Sequence, residues 1–416
     1  MTLRTLAARN VPPGPPGYDS TVAERIHTAA ESDSPDGGRL GALPAKRRRE
    51  NYWWGANSWH QADVFRFPDD RRAFARDLPK LIREQILPGH VPDGPLLEAG
   101  DSVVTMGSCF AEELRNHLTE RGFASGNFWI PSGLNNTFAI LDFISWCVTG
   151  TDTGAGFRYD RFDDGEIRQW LPEGKRGRYE QRLVEAGAFV FTFGLSEVWQ
   201  DKETGGVFWR GIPEKIFDAD RHVFRLTTVE ENEQNIVRIV ELIRSVNPDA
   251  PIVMTLSPVP LMATFRGQSC VTADAVSKSV LRVAIDLVES RKLPNVWYWP
   301  SFEVVRWAGA HLPYPAYGIP DRRARHVTRY LVAEIIDAFV EAFYSPAAVA
   351  QLRAQNAGKR AVDPGSFRGR IEDAAWPLTT RAEKTLADLR GRLDRMPNRV
   401  RKQTKRLRRK LATQRS

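Results

Sequence analysis

A chain of 416 residues, 42% of them hydrophobic, can bury one large core or two modest ones. No run approaches the ~20 apolar residues that span a bilayer, and three widely spaced cysteines, Cys109, Cys147 and Cys270, form neither a disulfide framework nor a zinc pattern. The net charge of +8 sits at one end: residues 391–416 carry eleven Lys/Arg against one Asp, a net +10, which leaves the rest of the chain at −2. The basic balance therefore belongs to a tail, and it argues against a nucleic-acid-binding domain.

Residues 1–50 are rich in Pro, Gly, Ser and charge and end in Lys46-Arg47-Arg48-Arg49. This composition predicts a disordered or loosely attached segment. It holds no apolar h-region, so the expectation is a protein without a secretory signal, working in the reducing cytoplasm. From 51 the chain turns aromatic, with Tyr52, Trp53, Trp54, Trp59, Phe65 and Phe67 close together, a cluster expected to pack onto the domain or to line a cleft.

Four short apolar runs read as strands: 102–106, 188–193, 251–256 and 295–299. Helical patterns separate them, at 111–120, 135–148, 228–246 and 273–290, with a last helix over 323–343. In 273–290 the spacing puts Val276, Val280, Val283 and Leu287 on one face. Apolar strands alternating with helices predict an α/β fold with a parallel sheet covered on both faces. The stretches 150–187 and 200–225 break this rhythm and read as insertions near the carboxyl edge of the sheet, where open α/β sheets bind ligands. Residues 346–375 look irregular, and the basic tail is sparsely periodic.

The first strand runs through Met106-Gly107-Ser108-Cys109-Phe110-Ala111 directly into a helix. Gly permits a sharp bend, and the free N–H groups of a helix start form ready oxyanion donors beside a hydroxyl or thiol. A simple N-cap at Ser108 is the other reading of the same residues. There is no phosphate-loop, dinucleotide or metal motif, and nothing in the sequence calls for a cofactor.

The full run GSCFAEEL at 107–114 resembles the signature of the GSCFA-domain family, which is related to the SGNH/GDSL hydrolases. Further blocks agree in order: FGLSEVW at 193–199, TLSPVP at 255–260, YWPSFE at 298–303 and DRRARHV at 321–327. The resemblance covers roughly 50 to 345. It implies a three-layer α/β/α domain with a parallel sheet, SGNH hydrolase-like, over 51–345, followed by an irregular segment and the basic tail over 346–416.

In the related hydrolases a Ser after the first strand attacks an ester carbonyl, and a late His activates it. The Ser N–H, a Gly N–H and an Asn side chain hold the oxyanion. Their Gly-Asp-Ser reads Gly107-Ser108-Cys109 here, so Cys109 takes the nucleophile position; a shift of one residue would give it to Ser108. A helix N-terminus favours a thiolate. The second oxyanion element maps to Gly126 and Asn127, while Asn135 or Asn136 either contributes an amide or caps the next helix. Gly194, Ser196, Glu197 and Trp199 occupy the third block, where Ser196 replaces the family's Asn as a shorter donor.

His326 is the implied base, at the start of the last helix, with a capping or surface role as its alternative. Its usual acid three residues ahead is Arg323 here, and Asp321 is the nearest carboxylate. His311 is a second candidate base, and Arg266 and Arg325 are candidate anion clamps. The resemblance thus implies an esterase or acyltransferase acting on O-acyl groups of a glycan or similar polar metabolite. A non-catalytic glycan- or partner-binding module on the same fold is the alternative. The tail reads as a solvated arm, an anionic-lipid contact or an RNA contact, and it is expected to localise the domain at anionic surfaces rather than to form part of the site.

Overall fold

The structure, a computed structural model, describes residues 50–54, 58–62, 67, 77–126, 134–150, 156–157, 159–161, 167–169, 174, 176–209, 211–312, 314–318 and 323–357. All of them lie in the compact unit that begins at Arg49. The expectations for 1–49 and for the tail from 358 onward fall outside the described residues.

The aromatic segment opens with an antiparallel hairpin, β1 (Glu50–Trp54) and β2 (Ser58–Ala62), with Trp53 opposite Trp59. A short helix, α1 (Leu78–Leu81), follows, with Pro79 in its first turn and Asp77 as its cap. Next come β3 (Val103–Gly107), α2 (Cys109–Glu120), β4 (Ser125–Gly126) and α3 (Thr137–Thr149). Then β5 (Gly156–Phe157), the hairpin β6 (Tyr159–Arg161) and β7 (Ile167–Gln169), and α4 (Arg176–Val184) lead to β8 (Ala188–Phe193). After β8 the chain forms β9 (Glu197–Asp201), β10 (Val207–Phe208) and β11 (His222–Leu226).

Helix α5 (Val229–Val246) starts at a full capping box, with Thr228 accepting from Glu231 N and Glu231 accepting from Thr228 N. It is followed by β12 (Ile252–Leu256), α6 (Cys270–Ser290), β13 (Val296–Trp299), α7 (Arg329–Phe343) and α8 (Pro346–Ala357).

The central sheet has the order β13-β12-β8-β3-β4, and every pair in it is parallel. The period of two in β8 divides the core. Phe189, Phe191 and Phe193 point to one face and join α3, α5 and α6; Ala188 and Val190 point to the other and join α2 and α7. Fully burying each of these Phe side chains contributes roughly 1.5–3 kcal/mol. The fold is therefore the three-layer α/β/α arrangement with a parallel sheet. Among the described residues no helix is long and apolar enough to cross a membrane.

The stretches on either side of β8 depart from that rhythm, as expected, and build a second sheet of order β11-β9-β10-β5. Strand β9 runs antiparallel to both neighbours. Its last residue, Asp201, is buried and accepts from Arg221 Nε at 2.8 Å and from the Glu203 N–H at 2.8 Å. The Arg221 guanidinium, more than the Glu203 and Thr204 N–H groups that also donate to it, holds the Asp201 carboxyl down at about 2.

Three local expectations change. On α6 the stripe Val276, Val283 and Leu287 faces outward, 39–49% exposed, while Ala273, Ser277, Leu281, Ala284, Ile285 and Val288 are buried. The helix has two apolar faces, and its small residues let the second one sit close beneath α5. Residues 346–357 are helical rather than irregular. Pro346 opens the helix, the Ser345 hydroxyl accepts from Ala348 N, and Ala348 and Leu352 anchor its inner face. Finally, the last long helix starts at Arg329, not 323. The segment 326–328 pairs instead with 316–318, through Gly318 N to His326 O and Thr328 N to Ala316 O. His326 therefore lies in the loop ahead of α7.

Candidate active site

The site assembles at the carboxyl edge of the central sheet. Gly107 ends β3 with φ +130°, and a Cβ there would fall 2.1 Å from the Thr192 carbonyl oxygen, so only glycine fits. The Ser108 N–H donates to that same carbonyl at 3.1 Å. Ser108 is the N-cap of α2: its side chain is buried, and its Oγ accepts from Phe110 N at 3.2 Å. Cys109 is the first residue of the helix, exposed, with a free thiol. The sequence left nucleophile and cap open at this turn, and the capping role falls to Ser108.

Gly194, just beyond β8, lies against Ser108. A Cβ built on it would sit 3.5 Å from Ser108 Cβ, 3.5 Å from Ser257 Cβ and 3.6 Å from Asn135 Cβ. The Gly194 and Leu195 N–H groups both donate to the Asn135 carbonyl, at 2.7 and 3.1 Å. Three strand ends and the start of α3 thus meet at one glycine. Asn136 caps α3, its Oδ1 accepting from Ala139 N at 2.8 Å and its Nδ2 donating to Trp209 O. Asn135 is left with a carboxamide whose Oδ1 is buried without a hydrogen-bond partner. A buried carbonyl oxygen without a donor is costly, which makes it a feature in need of a function.

The other members of the third block go elsewhere. Ser196 is fully buried, its N–H donating to Ser277 Oγ at 3.0 Å and its Oγ to Ser277 O at 3.1 Å. Its hydroxyl is spent on holding the loop to α6, so it does not stand in for the family's oxyanion Asn. Glu197 pairs with Arg266 at 3.3 Å, and its Oε2 is buried without a partner. That pairing also commits Arg266, the first candidate anion clamp. Trp199 packs against Phe217, Phe224 and Phe265 with ring centroids 5.2–5.5 Å away. Phe217 and Phe265 are themselves exposed, so the cluster presents ring surface to solvent.

Lys278, which sequence reasoning passed over, is buried on α6. Its Nζ donates to Gly194 O at 2.8 Å and to Val259 O at 2.9 Å. Burial lowers the amine to about 8, with Asp274 acting against that shift and Arg325 adding to it. The Val259 bond is one of four along the loop after β12. Tyr317 OH donates to Pro258 O at 3.0 Å, Arg325 Nε to Pro260 O at 3.2 Å, and Cys270 Sγ to Leu261 O at 3.6 Å. The Leu261 N–H in turn reaches Asp274 Oδ1 at 2.8 Å. Prolines have no N–H to offer a sheet, so side chains satisfy this segment.

Through Tyr317 and Arg325 that segment carries the loop of His326. The His326 N–H donates to Arg323 O at 2.9 Å, and no hydrogen bond joins His326 to Ser108 or Cys109. Asp321 and Asn127 lie outside the described residues. Gly126 pairs opposite Val104, three residues short of Gly107 on the neighbouring strand. His311 ends a 3-10 turn after β13. Among the described residues no group of His, Cys, Asp and Glu could hold a metal ion.

A parallel three-layer sheet whose first strand turns through Gly-Ser-Cys into a helix, with polar groups converging at its carboxyl edge, defines an α/β protein with an edge-of-sheet site. The chain belongs to the GSCFA family, whose sequence model matches residues 102–339. Among solved structures it is similar to LAE5, titled an alpha/beta hydrolase enzyme from the metagenome of Lake Arreo, Spain. That match has 14% identity, a TM-score of 0.30, and covers 62% of this chain and 99% of the other. It is also similar to a family two carbohydrate esterase from Cellvibrio japonicus, at 14% identity and TM-score 0.28, covering 62% of each chain. No curated protein matches the sequence.

Proposed function

We propose that this protein transfers or hydrolyses O-acyl groups, with Cys109 as nucleophile. The observation that carries the reading is the exposed thiol at the first position of α2, directly after Ser108, on a turn that Gly194 and the Asn135 side chain approach. His326 takes the thiol proton as sulfur attacks the acyl carbonyl, and the Cys109 N–H and the Asn135 amide hold the oxyanion. Collapse breaks the ester C–O bond, and the departing alcohol takes the proton back from His326. Water, or an acceptor hydroxyl in the transfer reaction, then attacks the thioester while His326 removes its proton, which returns to the sulfur as the acid or new ester leaves. Asp321 is the proposed partner of His326.

The exposed rings of Phe217 and Phe265 beside Trp199 suit an acylated sugar or a similar polar metabolite. The basic tail directs the domain to anionic membrane surfaces in the cytoplasm. A chain ending near 375 is then expected to lose salt-sensitive vesicle binding while keeping turnover.

The absence of a hydrogen bond from Cys109 or Ser108 to His326 favours a second reading, a glycan-binding module without turnover. Turnover of aryl acetates and of acetylated sugars by the purified protein separates the two. Loss in both Cys109→Ala and His326→Ala supports the enzyme; sugar binding with no turnover by the unaltered chain supports the module.

A further inference from the structure

Lys278 and the loop after β12 form a device that the proposed chemistry leaves unused. The site has two halves. One is the turn at Ser108 and Cys109 with Gly194 and Asn135 packed on it; the other is the segment 257–261, to which Tyr317 and Arg325 fasten the loop bearing His326. A single side chain donates to a backbone carbonyl in both halves, Gly194 O and Val259 O.

We infer that Lys278 is a positioning residue of this site, a tether that sets the separation of the nucleophile half from the base half. The inference rests on the acyl-transfer reading.

Several features support it. A lysine is rarely buried without a carboxylate bonded to it, and here, among the described residues, the ammonium is bonded to two main-chain carbonyls alone. Those carbonyls belong to segments 65 positions apart in sequence, Gly194 and Val259. Ser277, the preceding residue, fastens the same Gly194 loop through Ser196, and Asp274, one turn earlier, fastens the same 257–261 segment through Leu261 N. The stretch 274–278 of α6 thus acts as one post with bonds to both halves. Of these three residues, Lys278 alone bonds both halves, and it does so from one atom. The charged groups facing it are Asp274 and Arg325, and Arg325 directly precedes His326. An approach error of about 1 Å between nucleophile and base costs up to ~100-fold in rate.

The test uses the full chain with Lys278→Met and, should that variant fail to fold, Lys278→Arg. Amide hydrogen exchange is read at 193–196 and 257–261, and aryl acetate turnover is split into kcat and KM. The expectation is that both segments lose protection together while α5 and α7 keep theirs. In the same variant kcat falls by roughly 10- to 100-fold and KM stays within about two-fold, because geometry rather than affinity is lost. Loss of protection in one segment only, or in neither, overturns the inference, as does a rise in KM with kcat held. If the unaltered protein cleaves no ester, the acyl-transfer reading fails by itself. The exchange measurement then still decides whether Lys278 ties the two segments.

Discussion

Gly107 and Thr192 approach so closely that no side chain fits between them, since a Cβ on Gly107 would lie 2.1 Å from the Thr192 carbonyl oxygen. With φ at +130°, the backbone also excludes other residues on its own account. Gly107→Ala is therefore expected to cost at least about 3 kcal/mol, seen as a large fall in melting temperature or as loss of folded protein. Gly194→Ala is the contrast. Its methyl group would meet Ser108, Ser257 and Asn135 at ordinary contact distances of 3.5–3.6 Å. Stability should change by less than about 1 kcal/mol, while the methyl fills the centre of the site and turnover drops.

Ser108 and Cys109 should separate stability from activity. Ser108→Ala removes the cap of α2 and is expected to lower stability by about 0.5–2 kcal/mol. Cys109 is exposed, so Cys109→Ala should melt like the parent and yet abolish turnover. Thermal melts and aryl acetate assays on both variants check the assignment; full turnover by folded Cys109→Ala would remove the thiol from the mechanism.

The two adjacent asparagines divide in the same way. Asn136→Ala loses a helix cap and a bond to Trp209 O, for about 1–2 kcal/mol of stability. Asn135→Ala should leave stability nearly unchanged and cut kcat by about 10²–10³-fold, the loss that follows removal of an oxyanion donor. Equal activity in the two variants would assign the oxyanion amide elsewhere.

Lys278 gives a pH dependence with a definite sign. Burial lowers its amine from 10.5 to about 8. Between those values the unfolded chain holds a proton that the folded chain has released, so this group makes the protein more stable as pH rises. Below about pH 8 both states are protonated, and the full cost of the buried charge is present. Urea unfolding at pH 7.5 and 10 should show this gain in the parent relative to Lys278→Met, which lacks the titrating group. An identical pH response in the two proteins would place the amine in a wetter setting.

Four strands of the central sheet were legible because they are short and largely apolar, and a parallel sheet buried on both faces needs no alternation to mark it; β4, a Ser-Gly pair, carries no apolar run and was read as a loop. The turn at Gly107 was legible from its residue types alone. The outward face of α6 was not, because Val276 and Val283 recur at helical spacing as regularly as Leu281 and Val288, and periodicity does not rank two apolar faces. The start of α7 was misplaced because nothing in RRARHV signals that 326–328 pair with 316–318. Asn135 and Asn136 were both candidates until one was seen to cap α3. Lys278 carried no local mark, since its partners lie 84 and 19 residues away and lysine normally belongs to solvent.

The loop after β12 owes its shape to side chains that its own sequence does not contain. Four successive carbonyls, from Pro258 to Leu261, are claimed by Tyr317, Lys278, Arg325 and Cys270. Grafting Ser-Pro-Val-Pro-Leu onto another sheet would transplant the prolines and leave their conformation behind. Conversely, a change at Tyr317 or Arg325 edits this loop from more than fifty positions downstream. The heritable unit here is a contact set scattered over two later segments of the chain, so stretches of sequence that look independent are bound to change together.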